Sequence, residues 1–600
     1  MIKLPAIISD GMVLNKKARI WGWAEPETQV LIALAGKEYI ATAAADGQFE
    51  TTVVSTDYGG PHVLTIGDCT IKDVYIGQVW LCGGQSNMEQ PLARTRPLLD
   101  RYIKDNPQIR AFHAEKGLRF DGPATDVKGH WQTATGKTLD EIFAVPYFFA
   151  QALELSQVPI GLVNVAAGGT PAEAWLSEDI LRTFPELHEI LEPYKRSSLA
   201  KTQSESDASP EQEIMQKWHQ HLQASDKGVA EGWHSADYNH SHWQEKMLLD
   251  TPQEYGVIWY RKDIILPDDI TGPYALTLGR VVDSVKVYVN GTLVTSVDYQ
   301  YPPCRCIIPS GLLKPGSNTI AIRVVGSSNK SHFTPGKVYE LAHSNGSISL
   351  LGPWKWQVGC VVPRLEPAQW LYNIPTCTYN YMLAPVLNYS VSGVIWYQGE
   401  SNTGSPQGYK SLFGAFVTML RKHHGEGLPV IYTQLANYVD PHGSGENWAM
   451  LRDEQRQCLD IPNTAMAVTI DCGEWNDLHP QDKKNVGERL ALCARHLAYG
   501  EDIVHSGPVA KNAIFSSGEL TINFEYGAGL WAKNGRPVVE VLGPNNTKHH
   551  LNAKICGESL IVQVGELCAQ RVRFAWMDCP TVVLYNAYGL PASPFSIAVS

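Results

Sequence analysis

Residues 74–91 read VYIGQVWLCGGQSNMEQP, and this stretch decides what kind of fold the chain builds. An apolar run typical of a buried strand ends in two glycines, and a serine follows where a helical segment is expected to begin. Sharp strand-to-helix turns belong to α/β domains, and acyl-transfer serines often lie on them. Serine is also among the commonest helix caps. Taken alone, the stretch therefore leaves Ser86 open as either a cap or a nucleophile.

The same alternation of strands and helices continues on both sides of a long interruption. The sequence predicts helices over 147–157, 408–425 and 481–500, and strands over 158–169, 390–401, 428–436 and 464–473. Buried strands that alternate with helices favour a parallel sheet flanked by helices. We therefore predict an α/β domain formed by residues 73–205 and 359–503.

The rest of the chain alternates apolar and polar residues in short runs divided by turn residues, which is typical of all-β domains. We predict an N-terminal β-sandwich over 1–72, an inserted β-sandwich over 206–358 and a C-terminal β domain over 504–600. The Ser-, Asp- and Glu-rich stretch 205–215 has the composition of a linker. The aromatic residues Trp243, Trp259 and Tyr260 are expected to form the core of the insertion rather than to hold a glycan.

Composition excludes several classes of protein. At 600 residues the chain is long enough for several domains, and 44% hydrophobic with 18% charged residues is a globular balance. A net charge of −12 without a Lys/Arg block argues against a nucleic-acid partner. No apolar run is long enough for a membrane span, and no signal peptide is visible. The twelve cysteines contain no CxxC pair, so neither a zinc site nor a dense disulfide framework is indicated.

A histidine and an aspartate share the loop DCGEWNDLHPQDKKN at 471–485. His479 precedes Pro480, which suits the first turn of the next helix, and Asp477 lies two residues earlier. A carboxylate on the same loop can orient the imidazole for general-base work. The alternative is that Asp477 caps the helix and His479 is polar surface.

Two further strand ends carry groups suited to an oxyanion. The strand in GVIWYQGESNTG (393–404) ends at Gln398 and Glu400, and the strand in VNVAAGGTPAEAW (163–175) ends at Gly168 and Gly169. Ligands of open α/β sheets bind at such strand ends, where an amide side chain or a glycine N–H can contact them. Ordinary β–α turn chemistry is the alternative for each motif alone. Together the motifs supply a nucleophile, a base, an acid and hydrogen-bond donors.

These motifs, in this order, resemble the sialate O-acetylesterase family of the SGNH-hydrolase superfamily. The resemblance is carried by GGQSNMEQPL, AAGGTPAEAWLS, VIWYQGESN and DLHP, with SDGMVL and YNYMLAP in support. The segment VIWYRKDIILP…VKVYVNG is similar to the galactose-binding-like sandwich of some glycoside hydrolases. The resemblance implies an SGNH-type, flavodoxin-like, three-layer α/β/α domain with a parallel sheet, and accessory all-β sandwich domains.

The resemblance also assigns the catalytic roles. Ser86 corresponds to the nucleophile and His479 to the base, and the oxyanion is expected to be held by the amides of Ser86 and Gly168 together with Gln398, where many members have asparagine. Substrate-binding residues are expected to be Gln85, Asn87, Gly169, Glu400 and Asn402.

The acidic member of the triad departs from the usual pattern. The superfamily places an aspartate three residues before the histidine, but here that residue is Asn476. We prefer Asp477 and keep Glu400 as the alternative, because related enzymes with a QGE motif can use its glutamate.

The expected activity is removal of O-acetyl groups from sialic acids through an acetyl-serine intermediate, with no cofactor and no metal. One alternative is an acetylesterase for plant xylan or pectin fragments, and a less favoured one is a carbohydrate-binding protein without catalysis. The expected partner is an O-acetylated sugar or glycan, and the oligomeric state is left open. By resemblance, a periplasmic or secreted location is expected, with a signal peptide already removed.

Overall fold

The protein is described by a computed structural model for residues 2–155, 157–196, 203–204, 210–267, 273–343, 346–366, 370–440 and 443–600. It divides into two compact units. Unit 1 comprises Met1–Ser206, Leu371–Trp475 and His479–Ser600, and unit 2 comprises Asp207–Trp370 and Asn476–Leu478. The finer division into five domains stays a prediction.

Seven strands of one sheet form the centre of unit 1. They are β1 (Cys69–Gly84), β2 (Asn106–Ala114), β3 (Gly129–Ala134), β4 (Ile160–Ala166), β5 (Gly393–Tyr397), β6 (Val430–Gln434) and β7 (Thr464–Val468). Their spatial order is β3-β2-β4-β1-β5-β6-β7, and all neighbours are parallel except the edge pair β3 and β2. The strands β2 to β4, which follow β1 in the chain, lie on one side of it, and β5 to β7 lie on its other side. The carboxyl end of β1 is therefore the switch point where ligands of such sheets bind.

Among the described residues, the helices of unit 1 lie between these strands in sequence or follow the last of them, and two helices lie in unit 2. In chain order the helices are α1 (Ser86–Glu89), α2 (Leu92–Leu99), α3 (Ala144–Ala152), α4 (Glu178–Leu181), α5 (Pro185–Lys195), α6 (Pro210–Ser225), α7 (Lys227–Ala230), α8 (Tyr409–His424), α9 (Asn447–Gln457) and α10 (Lys483–Leu497). The predicted helices are confirmed as α3, α8 and α10, and the predicted strands as β4 to β7. The linker prediction is wrong for residues 210–215, which begin α6, and its residues 205–209 lie outside the described part of the chain.

Strand β1 is longer than the sequence suggested and crosses the predicted boundary at residue 72. Its first half, Cys69 to Ile76, pairs with the N-terminal strand Gly59–Ile66. Its second half, Gln78 to Gly84, pairs with β4. The other N-terminal strands are Val13–Asn15, Lys17–Trp23, Gln29–Leu34, Lys37–Thr42 and Gln48–Val54. One continuous strand thus belongs to both the N-terminal β region and the central sheet.

The C-terminal region of unit 1 is all-β around its own apolar core, as predicted. Its strands are Val509–Ser516, Glu519–Glu525, Trp531–Lys533, Val538–Leu542, Lys548–Cys556, Ser559–Gln563, Arg571–Phe574, Val583–Tyr585 and Phe595–Ala598. Two short strands, Gly117–Leu118 and Gln203–Ser204, pair with each other elsewhere in unit 1.

Unit 2 is built mainly from antiparallel strands in a six-stranded and a five-stranded sheet. The strands are Gln244–Met247, Gly256–Leu266, Tyr274–Val282, Ser284–Val289, Thr292–Val297, Pro303–Ile308, Gly316–Gly326, His332–Phe333, Tyr339–His343, Gly346–Ser349 and Pro353–Val361. Trp243, Trp259 and Tyr260 are buried in its cores, which confirms their structural role. Among the described residues of the chain, no helix is both long and apolar enough to cross a membrane.

Gly84 ends β1 at a point where no side chain fits. Its φ is +137°, and a Cβ there would lie 2.1 Å from the carbonyl oxygen of Tyr397 on β5. We expect Gly84→Ala to destabilise the protein by about 3 kcal/mol, because the backbone is strained and a strand must move. Thermal unfolding measures the effect.

Gly404→Ala is the matched control, since no atom lies within 4 Å of a Cβ built there. It should change stability by less than about 0.5 kcal/mol. Equal melting temperatures for the two variants would contradict the close approach of β1 and β5.

Candidate active site

Ser86 lies directly after the carboxyl end of β1, as the first residue of α1. The N-cap of this helix is Gln85, and the Gln85 side chain makes no capping hydrogen bond. Ser86 is partly exposed, whereas Gln85 and Asn87 on either side are buried. The cap explanation for Ser86 is therefore wrong, because the serine stands inside the helix and one residue beyond the cap.

The Gln85 side chain instead fixes the loop that follows β5. Its Oε1 accepts hydrogen bonds from Gly399 N at 3.2 Å, from Ser401 N at 3.3 Å and from Gln398 Nε2 at 3.3 Å. The Gln85 amide itself donates to Tyr397 O at 3.0 Å. One buried glutamine thus ties the turn after β1 to the turn after β5.

Gly168, after the end of β4, lies against the serine. A Cβ built on Gly168 would be 3.3 Å from Ser86 Cβ and 2.9 Å from Glu89 Oε1. The missing side chain is what allows the backbone of this turn to approach the serine so closely. Gly169 follows with a left-handed φ of +72°. The structure therefore brings together Ser86 and Gly168, which the sequence motifs place 82 positions apart.

Gln398 is fully buried, and its side-chain amide is engaged by the protein. Its Nε2 donates to Asn402 Oδ1 at 2.7 Å and to Thr170 O at 3.2 Å, and its Oε1 accepts from the Tyr409 hydroxyl at 2.9 Å. These bonds link the turns after β4 and β5. The expectation that Gln398 donates to an oxyanion stays a prediction.

Asn402 is also buried and continues this network toward the turn after β4. Its Nδ2 donates to Glu173 Oε2 at 3.0 Å, and its Oδ1 accepts from Ala172 N at 3.0 Å. Burial raises the pKa of Glu173, and the hydrogen bond from Asn402 opposes that shift. Like the substrate-contact role expected for Gln85 and Asn87, the one expected for Asn402 stays a prediction.

A lysine from α10 reaches the turn after β1 through a buried asparagine. Lys483 Nζ donates to Asn87 Oδ1, and Asn87 Nδ2 donates to Glu400 Oε1. All three residues are buried. Burial raises the pKa of Glu400, while the Asn87 hydrogen bond and the Lys483 charge act in the opposite direction. Among the described residues, Glu400 Oε2 has no hydrogen-bond partner.

His479 is buried in unit 1, in the loop before α10. The helix begins at Lys483, and its cap is Asp482, whose side chain accepts from Asn485 N at 3.2 Å. Pro480 therefore does not lie in the first helical turn, and Asp477 is not the cap, because the helix starts later than the sequence suggested.

Asp477 belongs to unit 2 and is also buried there. Lys337 Nζ lies 3.4 Å from its Oδ2, and Arg280 Nη1 lies 4.0 Å from its Oδ1. Two cations thus compensate the charge of this carboxylate within unit 2.

One group of potential metal ligands occurs elsewhere, at Glu178, His188 and Glu192. Lys195 Nζ lies 2.7 Å from Glu178 Oε1 and 3.3 Å from Glu192 Oε1. The lysine ammonium therefore occupies the position that a cation would take.

Sequence reasoning missed Lys483 and Glu173, and each would have been hard to find. Lys483 follows Gln481 and Asp482 and precedes Lys484, so its sequence context is that of helix surface. Only the burial of its ammonium at Asn87 distinguishes it from its neighbour Lys484.

We expect Lys483→Met to lower the stability of the protein by about 3 kcal/mol, because it leaves Asn87 Oδ1 and the Glu400 carboxylate without the buried cation. Lys484→Met is the control, since Lys484 makes a half-exposed helical pair with Glu488. It should cost less than about 0.5 kcal/mol. Thermal unfolding compares the two, and an equal loss would refute the importance of the buried contact.

The chain is similar to known carbohydrate esterases. Residues 76–228 and 364–495 match the family model described as carbohydrate esterase, sialic acid-specific acetylesterase. The sialate O-acetylesterase of Mus musculus is 27% identical over 657 residues, which cover 100% of this chain and 94% of that protein. That of Homo sapiens is 30% identical over 168 residues, or 25% of this chain and 32% of that protein.

The crystal structure of a carbohydrate acetylesterase from Xanthomonas citri superimposes with a TM-score of 0.65 and 26% identity, and the match covers 100% of this chain and 99% of that one. The expected SGNH-type domain with accessory β domains is thereby confirmed. The two matched segments thus carry a domain that matches the sialic acid-specific acetylesterase family of carbohydrate esterases, and the protein is a carboxylic ester hydrolase.

Proposed function

We propose that the protein is a serine esterase that removes O-acetyl groups from sialic acids through an acetyl-serine intermediate. The observation that carries the proposal is the close approach of Ser86 and Gly168 at the ends of the adjacent strands β1 and β4, where a Cβ built on Gly168 would lie 3.3 Å from Ser86 Cβ. A nucleophile beside a glycine amide is the arrangement that acyl transfer requires, because the N–H can stabilise the oxyanion as it forms.

In the proposed mechanism, His479 accepts the proton of the Ser86 hydroxyl, and the serine oxygen attacks the acetyl carbonyl. The amides of Ser86 and Gly168 stabilise the tetrahedral oxyanion. The bond between the acetyl carbonyl carbon and the sugar oxygen breaks, and His479 gives its proton to that departing oxygen. Water then attacks the acetyl-serine with His479 again as base, so that acetate leaves and Ser86 regains its proton.

We assign Asp477 as the acidic member that orients His479, and we keep Glu400 as the alternative. Two observations support Asp477: it lies two residues from His479 in the chain, and Lys337 and Arg280 compensate its negative charge. Glu400 retains one oxygen without a partner among the described residues, but burial raises its pKa and thus disfavours the ionised form that an orienting carboxylate needs.

Gln398 remains the proposed third oxyanion donor. In the present contacts its amide donates to Asn402, Thr170 and Gln85, so an oxyanion would replace one of these acceptors. For Gln85, Asn87 and Asn402, the buried hydrogen bonds favour a role in holding the three strand ends together. Gly169 and Glu400 complete the proposed substrate contacts.

The sugar and the location belong to the proposal as well. Four curated relatives of this chain named sialate O-acetylesterase support sialic acid, whereas the relative from Xanthomonas citri is described only as a carbohydrate acetylesterase. Acetylated xylan or pectin fragments are therefore the second candidate substrates. We further propose a periplasmic or secreted enzyme with no nucleic-acid partner, in keeping with its net charge of −12.

The test is acetate release from O-acetylated sialic acid and from acetylated xylo-oligosaccharide, with wild type and Ser86→Ala in parallel. We expect release from the sialic acid and a loss of at least about 10³-fold in kcat/KM for Ser86→Ala. Release only from the xylan fragment would replace the substrate and keep the mechanism. If folded Ser86→Ala is as active as wild type, the mechanism is wrong.

A second test separates the two acidic candidates. We expect Asp477→Asn to lower kcat by at least about 100-fold, since the histidine loses its orienting charge, and Glu400→Gln to stay within about tenfold. Lys337→Met is the control, because it removes the ion pair of Asp477 while keeping its carboxylate. If Glu400→Gln lowers kcat more than Asp477→Asn does, Glu400 is the residue that orients His479.

A further inference from the structure

A second cleft lies in unit 1, where the segment after α10 meets the C-terminal β region. Its volume is about 550 Å³, and its polar and aromatic lining is formed by Arg495, His496, Asp502, His505, Tyr526 and Tyr588. None of the described residues that line it takes part in the proposed catalysis. The cleft therefore needs an explanation of its own.

Two tyrosines of this cleft expose much of their side chains. Tyr588 is 66% exposed and Tyr526 is 41% exposed. The Tyr526 ring meets the edge of the His505 ring at 5.2 Å, and His505 in turn stacks on His496 at 3.9 Å. Exposed aromatic surface beside a concave site is typical of ligand binding, because it gives apolar contact and a hydroxyl together.

One buried side chain fixes the backbone of both tyrosines. Asn586 has no exposed surface, and its Oδ1 accepts from Tyr588 N and Leu590 N, each at 3.1 Å. Its Nδ2 donates to Tyr526 O at 3.2 Å and to Ser506 O at 3.0 Å. Because Asn586 is buried and bonds to the backbone of both tyrosines, the backbone that carries the two rings is held in place before any ligand arrives.

Tyr526 also has a backbone conformation that tyrosine rarely adopts. Its φ is +57°, in the left-handed region that glycine and asparagine favour. The conformation costs about 1–2 kcal/mol for a residue with a Cβ. A strained residue with an exposed ring points to a use for the ring itself, since the ring contributes little to packing here.

The charges around the cleft indicate the kind of ligand. Arg495 is engaged by two carboxylates, with Glu154 Oε2 at 2.9 Å and Glu501 Oε2 at 2.8 Å, and Asp502 is exposed. Burial and the neighbouring His496 lower the pKa of His505 to about 4, so this imidazole is neutral at neutral pH. Among the described residues that line the cleft, no arginine or lysine is thus left uncompensated for an anionic ligand, and the cleft offers hydroxyl acceptors beside aromatic rings.

We propose that this cleft is a second carbohydrate-binding site, which takes a neutral pyranose unit against Tyr526 and Tyr588. The apolar C–H face of the sugar would lie on the rings, and its hydroxyls would donate to Asp502. Such binding needs no reaction at Ser86, so this proposal can be tested independently of the catalytic one.

The test uses the full chain carrying Ser86→Ala, titrated by calorimetry with xylotriose, lactose and free sialic acid. We expect a neutral sugar to bind, and Tyr588→Ala to weaken that binding at least tenfold. Phe515→Ala is the matched control, because Phe515 is an exposed aromatic residue of the same β region outside the cleft. It should leave the binding unchanged.

Tyr526→Asn separates a binding role from a structural one. Asparagine tolerates the left-handed conformation, so this variant should melt no lower than its parent while its sugar affinity falls. The proposal is overturned if neither neutral sugar binds at about 10 mM, if only sialic acid binds, or if the affinity survives Tyr588→Ala.

Discussion

The contact between the ends of β1 and β5 is the constraint on which the rest of the site depends. Gly84 lets β1 approach the Tyr397 carbonyl, and the next amide, that of Gln85, bonds to the same oxygen. This brings the Gln85 side chain within reach of the loop after β5. The partly exposed Ser86 then follows between two buried neighbours, so that its position is set by the interior of the protein.

The periodicity of apolar residues predicted those strands and helices whose buried side is formed mainly by apolar side chains. The strands β4 to β7 are mostly apolar and almost entirely buried, and α3, α8 and α10 have apolar faces, so their patterns could be recognised. Helix α9 was missed because half of its buried residues are polar. Arg452 on that helix is fully buried and donates to the backbone carbonyls of Leu435, Ala436 and Asp578, none of which is near it in sequence. A buried guanidinium with distant partners looks like surface until the fold is known.

The same distinction applies to the site. The motifs identified Ser86 and Gly168 correctly as neighbours, because each follows a strand and strand ends of a parallel sheet share one edge. The motifs did not indicate that Lys483 reaches Asn87, or that Gln398 is enclosed by protein acceptors. Those facts depend on side-chain directions, which spacing along a chain does not determine. The same holds for the choice between two carboxylates for one histidine.

The sixteen-residue strand β1 has a consequence for how such proteins can be recombined. Its first half completes the N-terminal β region, and its second half lies at the centre of the sheet. A crossover at residue 72, where the sequence pattern changes, would join halves of a strand from different parents and disturb two cores at once. The N-terminal region is thus inherited together with the esterase sheet, although its sequence pattern alone suggests an exchangeable module.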